Sequence, residues 1–110
     1  MQPISLVALA EEQLGAARAA SSGRSAHTIR GGRAYSLHQT MLALAAGRGL
    51  DDHDSPGEAT LQILIGKVRL ATTEESWEAS AGDYLTIPPA RHNLTAIEDS
   101  VVLLTVVVAG

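Results

Sequence analysis

Two imidazoles frame the chemistry available to this chain. His53 lies in Asp51-Asp52-His53-Asp54, followed by Ser55-Pro56-Gly57-Glu58. His92 lies in Pro88-Pro89-Ala90-Arg91-His92-Asn93. Each stands beside Pro and Gly turns, and the two segments are far apart in the chain. A barrel can bring two such strands side by side and aim both rings into one cavity. With a carboxylate, they would form a two-His, one-carboxylate site, which suits a non-haem ferrous ion and leaves coordination positions open. Glu58 is the carboxylate offered by the first segment, and Gln62 adds a neutral oxygen donor on the same stretch. The expected metal set is therefore His53, Glu58 and His92. The expected ligand-binding set is His53, Gln62 and His92, and no residue is assigned a catalytic role.

Each candidate also has a plainer reading. An acidic stretch around a His is an ordinary solvated rim. A carboxylate after Pro-Gly is an ordinary turn residue, and a Gln in a strand is an ordinary hydrogen-bonding residue. His38 would complete a three-His site if the Ser36, Thr40 and Leu42 face lines the cavity; otherwise it is a core or surface side chain. Trp77 and Tyr84 read as core or interface anchors. Ser55 has no nucleophile elbow around it, and no Gly-rich phosphate loop of the usual spacing is present.

Composition removes other classes. The chain has 110 residues, a net charge of -4, only 8 Lys and Arg, and 3% aromatics. A basic face for nucleic acid or an anionic membrane is missing, as are aromatic platforms for stacking bases. With Cys at 0, disulfides, thiolate zinc sites and Cys nucleophiles are excluded. The Ala-rich start has no basic n-region and is interrupted by Glu11 and Glu12, unlike a signal peptide. The closing run Val101 to Val108 falls well short of the roughly 20 apolar residues that span a bilayer. A soluble, cytoplasmic protein is expected, and the scarcity of Lys and Asn beside abundant Ala suggests a GC-rich bacterial genome.

These residues must be positioned by a scaffold whose pattern changes once. Ser5 to Ala20 reads as a helix, with Ser5 as cap and Val7, Ala10, Leu14 and Ala17 on one face. After Gly23, short β-type runs alternate with turns. Strands are expected at 27–30, 36–45, 60–65, 67–72, 76–79, 84–87, 93–97 and 101–108. Alternation in Lys67-Val68-Arg69-Leu70 turns Val68 and Leu70 inward. The nearly continuous apolar runs Leu61 to Ile65 and Val101 to Val108 suit strands covered on both sides. The expected organisation is a helix and linker over 1–23 and an all-β sandwich or barrel domain over 24–110.

Both His-bearing segments resemble the two sequence motifs of the cupins, small jelly-roll β-barrels. His53 and Gly66 match the first His and closing Gly of the first motif. Gly82, Pro88 and His92 match the Gly, Pro and ligand His of the second. The resemblance covers about Gly31 to Val108, and the whole chain looks like the small single-domain cupins of actinobacteria. It implies an all-β jelly-roll (cupin) β-barrel preceded by a short N-terminal α-helix. Departures are visible. Ser55 stands where the family has its second His, and Ala59 where it has Glu. Glu58 is one residue early, which in a strand points to the other wall. The turn before His92 is one residue short, so Asn93 holds the regular His position.

The resemblance implies binding of a small molecule in the barrel, with a divalent ion (Fe, Mn or Zn) as the possible cofactor. An iron or manganese oxygenase or isomerase is the alternative. A non-catalytic dimeric scaffold is the second, and a barrel filled entirely by side chains would point to it. Apolar outer strands and sheet edges that need covering suggest a homodimer.

Overall fold

The computed structural model describes residues 2–55 and 57–108. One helix, α1 (Leu6–Ala19), precedes nine strands: β1 (Arg24–Arg30), β2 (Leu37–Leu44), β3 (Gly49–His53), β4 (Glu58–Ile65), β5 (Lys67–Ala71), β6 (Ser76–Ser80), β7 (Tyr84–Thr86), β8 (His92–Ala96) and β9 (Ser100–Val107). They form two antiparallel sheets. One has the order β1-β2-β9-β4-β7, the other β3-β8-β5-β6. The non-sequential orders mean that the chain crosses repeatedly between layers, which is a jelly roll rather than a meander.

Period-2 alternation decides what lies between the sheets. On β4, Ala59, Leu61 and Ile63 are buried while Glu58 and Gln62 are exposed. Val68 and Leu70 of β5, Leu94 and Ala96 of β8 and Val102 of β9 meet them in one core. A register shift between Ile63 and Ile65 then bends β4. Beyond it, Leu64 and Ile65 both pack towards the helix. That is why Ile63 to Ile65 is apolar throughout: its residues serve two cores.

The second core lies outside the five-stranded sheet. There Ala10, Leu14 and Ala17 of α1 pack on Met41, Ala43 and Val101. Ser5 caps the helix by accepting a hydrogen bond from the Ala8 amide at 3.2 Å. At the other end Arg18 donates to Asp99 at 2.7 Å, and Asp99 also accepts from the Ala46 amide at 2.8 Å. These contacts hold its carboxyl below the usual carboxylate range, the Ala46 N–H foremost and Arg18 second. One expectation fails here. Val7 is 74% exposed, because α1 begins beyond the close contact and Val7 overhangs a hollow shared with Leu64 and Ile65. Gln13, a polar residue, is buried in its place and meets the Ser25 hydroxyl.

Strand β3 was not among the expected strands. Its residues Leu50-Asp51-Asp52-His53 carry no β-branched or aromatic signal. It forms because one side pairs with β8 while the other is a free edge. No helix of the described residues is long and apolar enough to cross a membrane.

Candidate functional site

The site is built where β3 meets β8. Gly49 pairs with Thr95, Leu50 with Leu94, and His53 with His92, with an irregularity between Leu50 and His53. Residues three apart on a regular strand face opposite sides. The irregularity absorbs one extra residue, so Leu50 and His53 both look inward, as a β-bulge permits. On β8 no such device is needed: His92, Leu94 and Ala96 alternate into the core. Gly49 makes the close approach possible, since a Cβ there would collide with the Leu94 carbonyl oxygen. The outcome is that the two rings touch, with centroids 4.4 Å apart and planes at 62°.

The ring nitrogens have defined roles. His53 Nδ1 lies 2.8 Å from the Asp51 carbonyl oxygen, and His92 Nδ1 lies 2.8 Å from the Ala90 carbonyl oxygen. A carbonyl only accepts, so in each ring Nδ1 carries the proton and donates it. In the neutral tautomer that this contact selects, the lone pair is on Nε2. Tying Nδ1–H to a backbone carbonyl is also how proteins orient a His that uses Nε2 as a metal donor.

Both rings line a cavity of about 30 Å³ with Leu42, Leu50, Leu61, Leu70, Ile87, Leu94 and Leu104. That is the space of roughly one water molecule. His92 is 4% exposed, whereas His53 is open to solvent. The cavity thus has a buried imidazole at its floor and an exposed one at its mouth. Among the described residues no carboxylate lines it. Among the described residues no three His, Cys, Asp or Glu side chains come together as a metal-holding group.

The remaining sequence candidates lie elsewhere. Glu58 is exposed on the outer face of β4, opposite Val107. Gln62 is exposed on that same face, opposite Leu103 and Tyr84. Neither shares the cavity, because Leu61 between them takes the inward position. The expected metal role of Glu58 and the expected pocket role of Gln62 are therefore corrected. His38 is held by loop carbonyls, its Nε2 3.1 Å from Gly32 O and 3.0 Å from Tyr35 O. Ser55 donates to the Gly57 carbonyl at 3.1 Å. Asn93 points outward and donates to Asp52 at 2.7 Å, so it is His92 that enters the barrel. Pro56 lies outside the described residues.

Seven apolar wall residues escaped the functional reading of the sequence. Alternation marks Leu61, Leu70 and Leu94 as inward, but it cannot say which inward residues border a void. The rim is charged. Arg91 donates to Asp54 at 3.4 Å and to the Asp52 carbonyl at 3.3 Å, so part of the acidic stretch is satisfied by the turn that carries His92.

Comparison with solved structures fixes the fold. A cupin superfamily protein from Desulfitobacterium hafniense matches with a TM-score of 0.79 at 15% identity, over 98% of this chain and 92% of that one. A conserved protein of unknown function from Streptococcus pyogenes matches with a TM-score of 0.73 at 26% identity, over 83% of this chain and 79% of the other. An RmlC-like cupin from Desulfovibrio desulfuricans matches with a TM-score of 0.65 at 20% identity, over 76% and 81%. No protein-family model matches the sequence. No curated protein matches it either.

Proposed function

With the cupin fold as premise, we propose that this protein binds a small molecule at the mouth of its barrel, with His53 and His92 as the polar anchor. One divalent ion is held by the same pair. The observation that supports this is the pairing itself: two touching imidazoles, each with Nδ1 tied to a backbone carbonyl, beside a cavity of ion size. Two neutral nitrogen donors suit zinc or iron. Such an ion would supply a Lewis-acidic point for an oxygen or nitrogen of the bound molecule. Without it, the two Nε2 atoms accept hydrogen bonds from a hydroxyl or N–H group. The leucine wall lowers the local dielectric on the inner side and strengthens either contact.

The cavity limits what enters. Pockets that enclose an organic ligand run to roughly 300–1,000 Å³, and this one is about 30 Å³. Only the polar end of a ligand fits at the pair. Its body must lie against the barrel rather than inside it. The oxygenase or isomerase alternative loses support, since Glu58 cannot supply the carboxylate of a facial triad. The test is calorimetric titration with zinc, manganese and anaerobic ferrous ion. We expect one ion per chain, and at least about tenfold weaker binding, or roughly 1.4 kcal/mol, for His92→Ala and for His53→Ala. Absence of ion binding, together with no thermal stabilisation by any small molecule, would sink the proposal.

A scaffold is the second reading, favoured by how nearly the interior is filled. A homodimer goes with either reading: Leu37, Tyr84 and Val107 are 39%, 60% and 44% exposed on the outer face of the five-stranded sheet. Sedimentation at micromolar concentration tests it, and a monomer would refute it.

A further inference from the structure

The His cavity shares a wall with a second space. Strands β1 and β3 are the terminal strands of their sheets, and the gap between them holds a groove of about 290 Å³. Its lining is Arg24, Ser25, Ala26, Leu42, Leu44 and Leu50. Leu42 and Leu50 are half-buried and border both this groove and the His cavity. Two leucine side chains therefore separate a groove near the lower limit of ligand pockets from the paired imidazoles.

Charge says what the groove would take. Among the described residues Arg24 is its one ionised side chain, and it is exposed. Arg24 Nη1 donates to the Gly49 carbonyl at 3.3 Å, bridging β1 to β3. Among the described residues it has no carboxylate partner, unlike Arg18, Arg69 and Arg91. A guanidinium has five N–H donors in a fork that matches a carboxylate. One weak bond to a carbonyl leaves most of them free. In a chain of net charge -4, an unpaired Arg above an apolar groove with no acidic lining is a local exception to the overall charge.

We infer that this seam is the arm of the His53–His92 site that receives the body of the ligand, and that the ligand is a small organic carboxylate whose apolar chain ends in a hydroxyl group. The carboxylate sits on Arg24. The chain lies on Ala26, Leu42, Leu44 and Leu50. Rotation of Leu42 and Leu50 brings the hydroxyl at its far end to the imidazole pair. The inference rests on the proposed function, since it extends that site.

Hexanoate is the probe, with 1-hexanol as its uncharged counterpart. Methyl NMR of the full chain should show saturable shifts at Leu42 and Leu50 on adding hexanoate. Hexanol should bind at least about tenfold more weakly. Arg24→Gln, on an exposed edge strand, should weaken hexanoate by a similar factor without changing ion binding at the His pair. Ala26→Leu should narrow the groove and weaken hexanoate likewise. Equal binding of hexanol, or indifference to Arg24→Gln, overturns the inference. An ion bound by His53 and His92 with no hexanoate response at Leu42 and Leu50 overturns this inference alone. 6-Hydroxyhexanoate, which adds the polar far end, should bind more tightly than hexanoate and lose that gain in His92→Ala; equal binding of the two, with no effect of His92→Ala, upholds the groove and overturns its link to the imidazoles.

Discussion

The β2-β9-β4 centre and the β3-β8 margin are built from the same antiparallel pairing, yet they differ in almost every other respect. Strand β9 pairs with β2 in an unbroken register from Leu37↔Val107 to Leu44↔Ser100. It is covered by the inter-sheet core on one side and, over part of its length, by α1 on the other. Strand β3 pairs on one side only, with a break between Leu50 and His53, and its last residues are exposed. The centre is apolar and paired along nearly all its length, with one shift near the Ile65 end of β4, so it supplies stability. The margin is polar, kinked and half-open, so it can present a side chain. The lesson is that the two imidazoles meet where pairing is least complete, and the apolar centre tolerates that cost.

The contrast is open to attack at both ends. The largest effect is expected in the centre. Ile63→Ala removes a side chain that is 1% exposed, and should cost about 2–5 kcal/mol in denaturant unfolding. Ion affinity of the folded fraction should not change. Next comes Gly49→Ala at the margin. Its new Cβ meets the Leu94 carbonyl oxygen, so β3 must move. A loss of about 1–3 kcal/mol is expected, with faster amide exchange confined to β3 and β8 and with weaker ion binding. If exchange rose evenly over the whole barrel, the margin would not be an independent region.

Acid stability is a smaller effect. Asp99 ties α1 and the Ala46 amide to the turn before β9, and its carboxyl is held below its ordinary value of 3.8. A lowered folded value means the contribution is present above pH 3.8 and is lost as pH falls through the folded value. Asp99→Asn should therefore lower stability at neutral pH and flatten the decline on the acid side. Thermal melts between pH 2 and 7, about the range over which a carboxylate titrates, would show this; parallel curves for the two proteins would contradict it. The smallest effect belongs to the outer face of β4. Glu58→Gln and Gln62→Ala should each stay within about 0.5 kcal/mol of the parent and leave ion affinity unchanged. A clear loss of ion affinity in Glu58→Gln would restore that carboxylate to the site.

How much was legible depended on which period carried the information. Alternation in Lys67-Val68-Arg69-Leu70 was enough to place Val68 and Leu70 in the core, where both are found. The same rule warned that Glu58, one residue out of step, would face the other wall, and it does. Gln62 shares the parity of Glu58, so the rule would have removed it too. Only its residue type points to a pocket role. Strand β3 was missed because its composition is that of a loop. The inward aim of His53 depends on an irregularity that no short-range pattern encodes. Val7 fits the helical stripe but is exposed, because a stripe says which face is apolar and not where the underlying sheet ends.

From residue order alone came the capped helix, most of the strands, the jelly-roll expectation and the pair of His-bearing segments. These are set by local propensity, by repeat of side-chain direction and by turn residues, all of which act over a few positions. Folding in three dimensions decided that the two rings meet, that their Nδ1 protons are committed to the backbone, and that leucines rather than a carboxylate complete the wall. Those outcomes depend on register between strands separated by some forty positions. A shift of one residue reverses every side chain, and that register is chosen by the packing of the whole barrel.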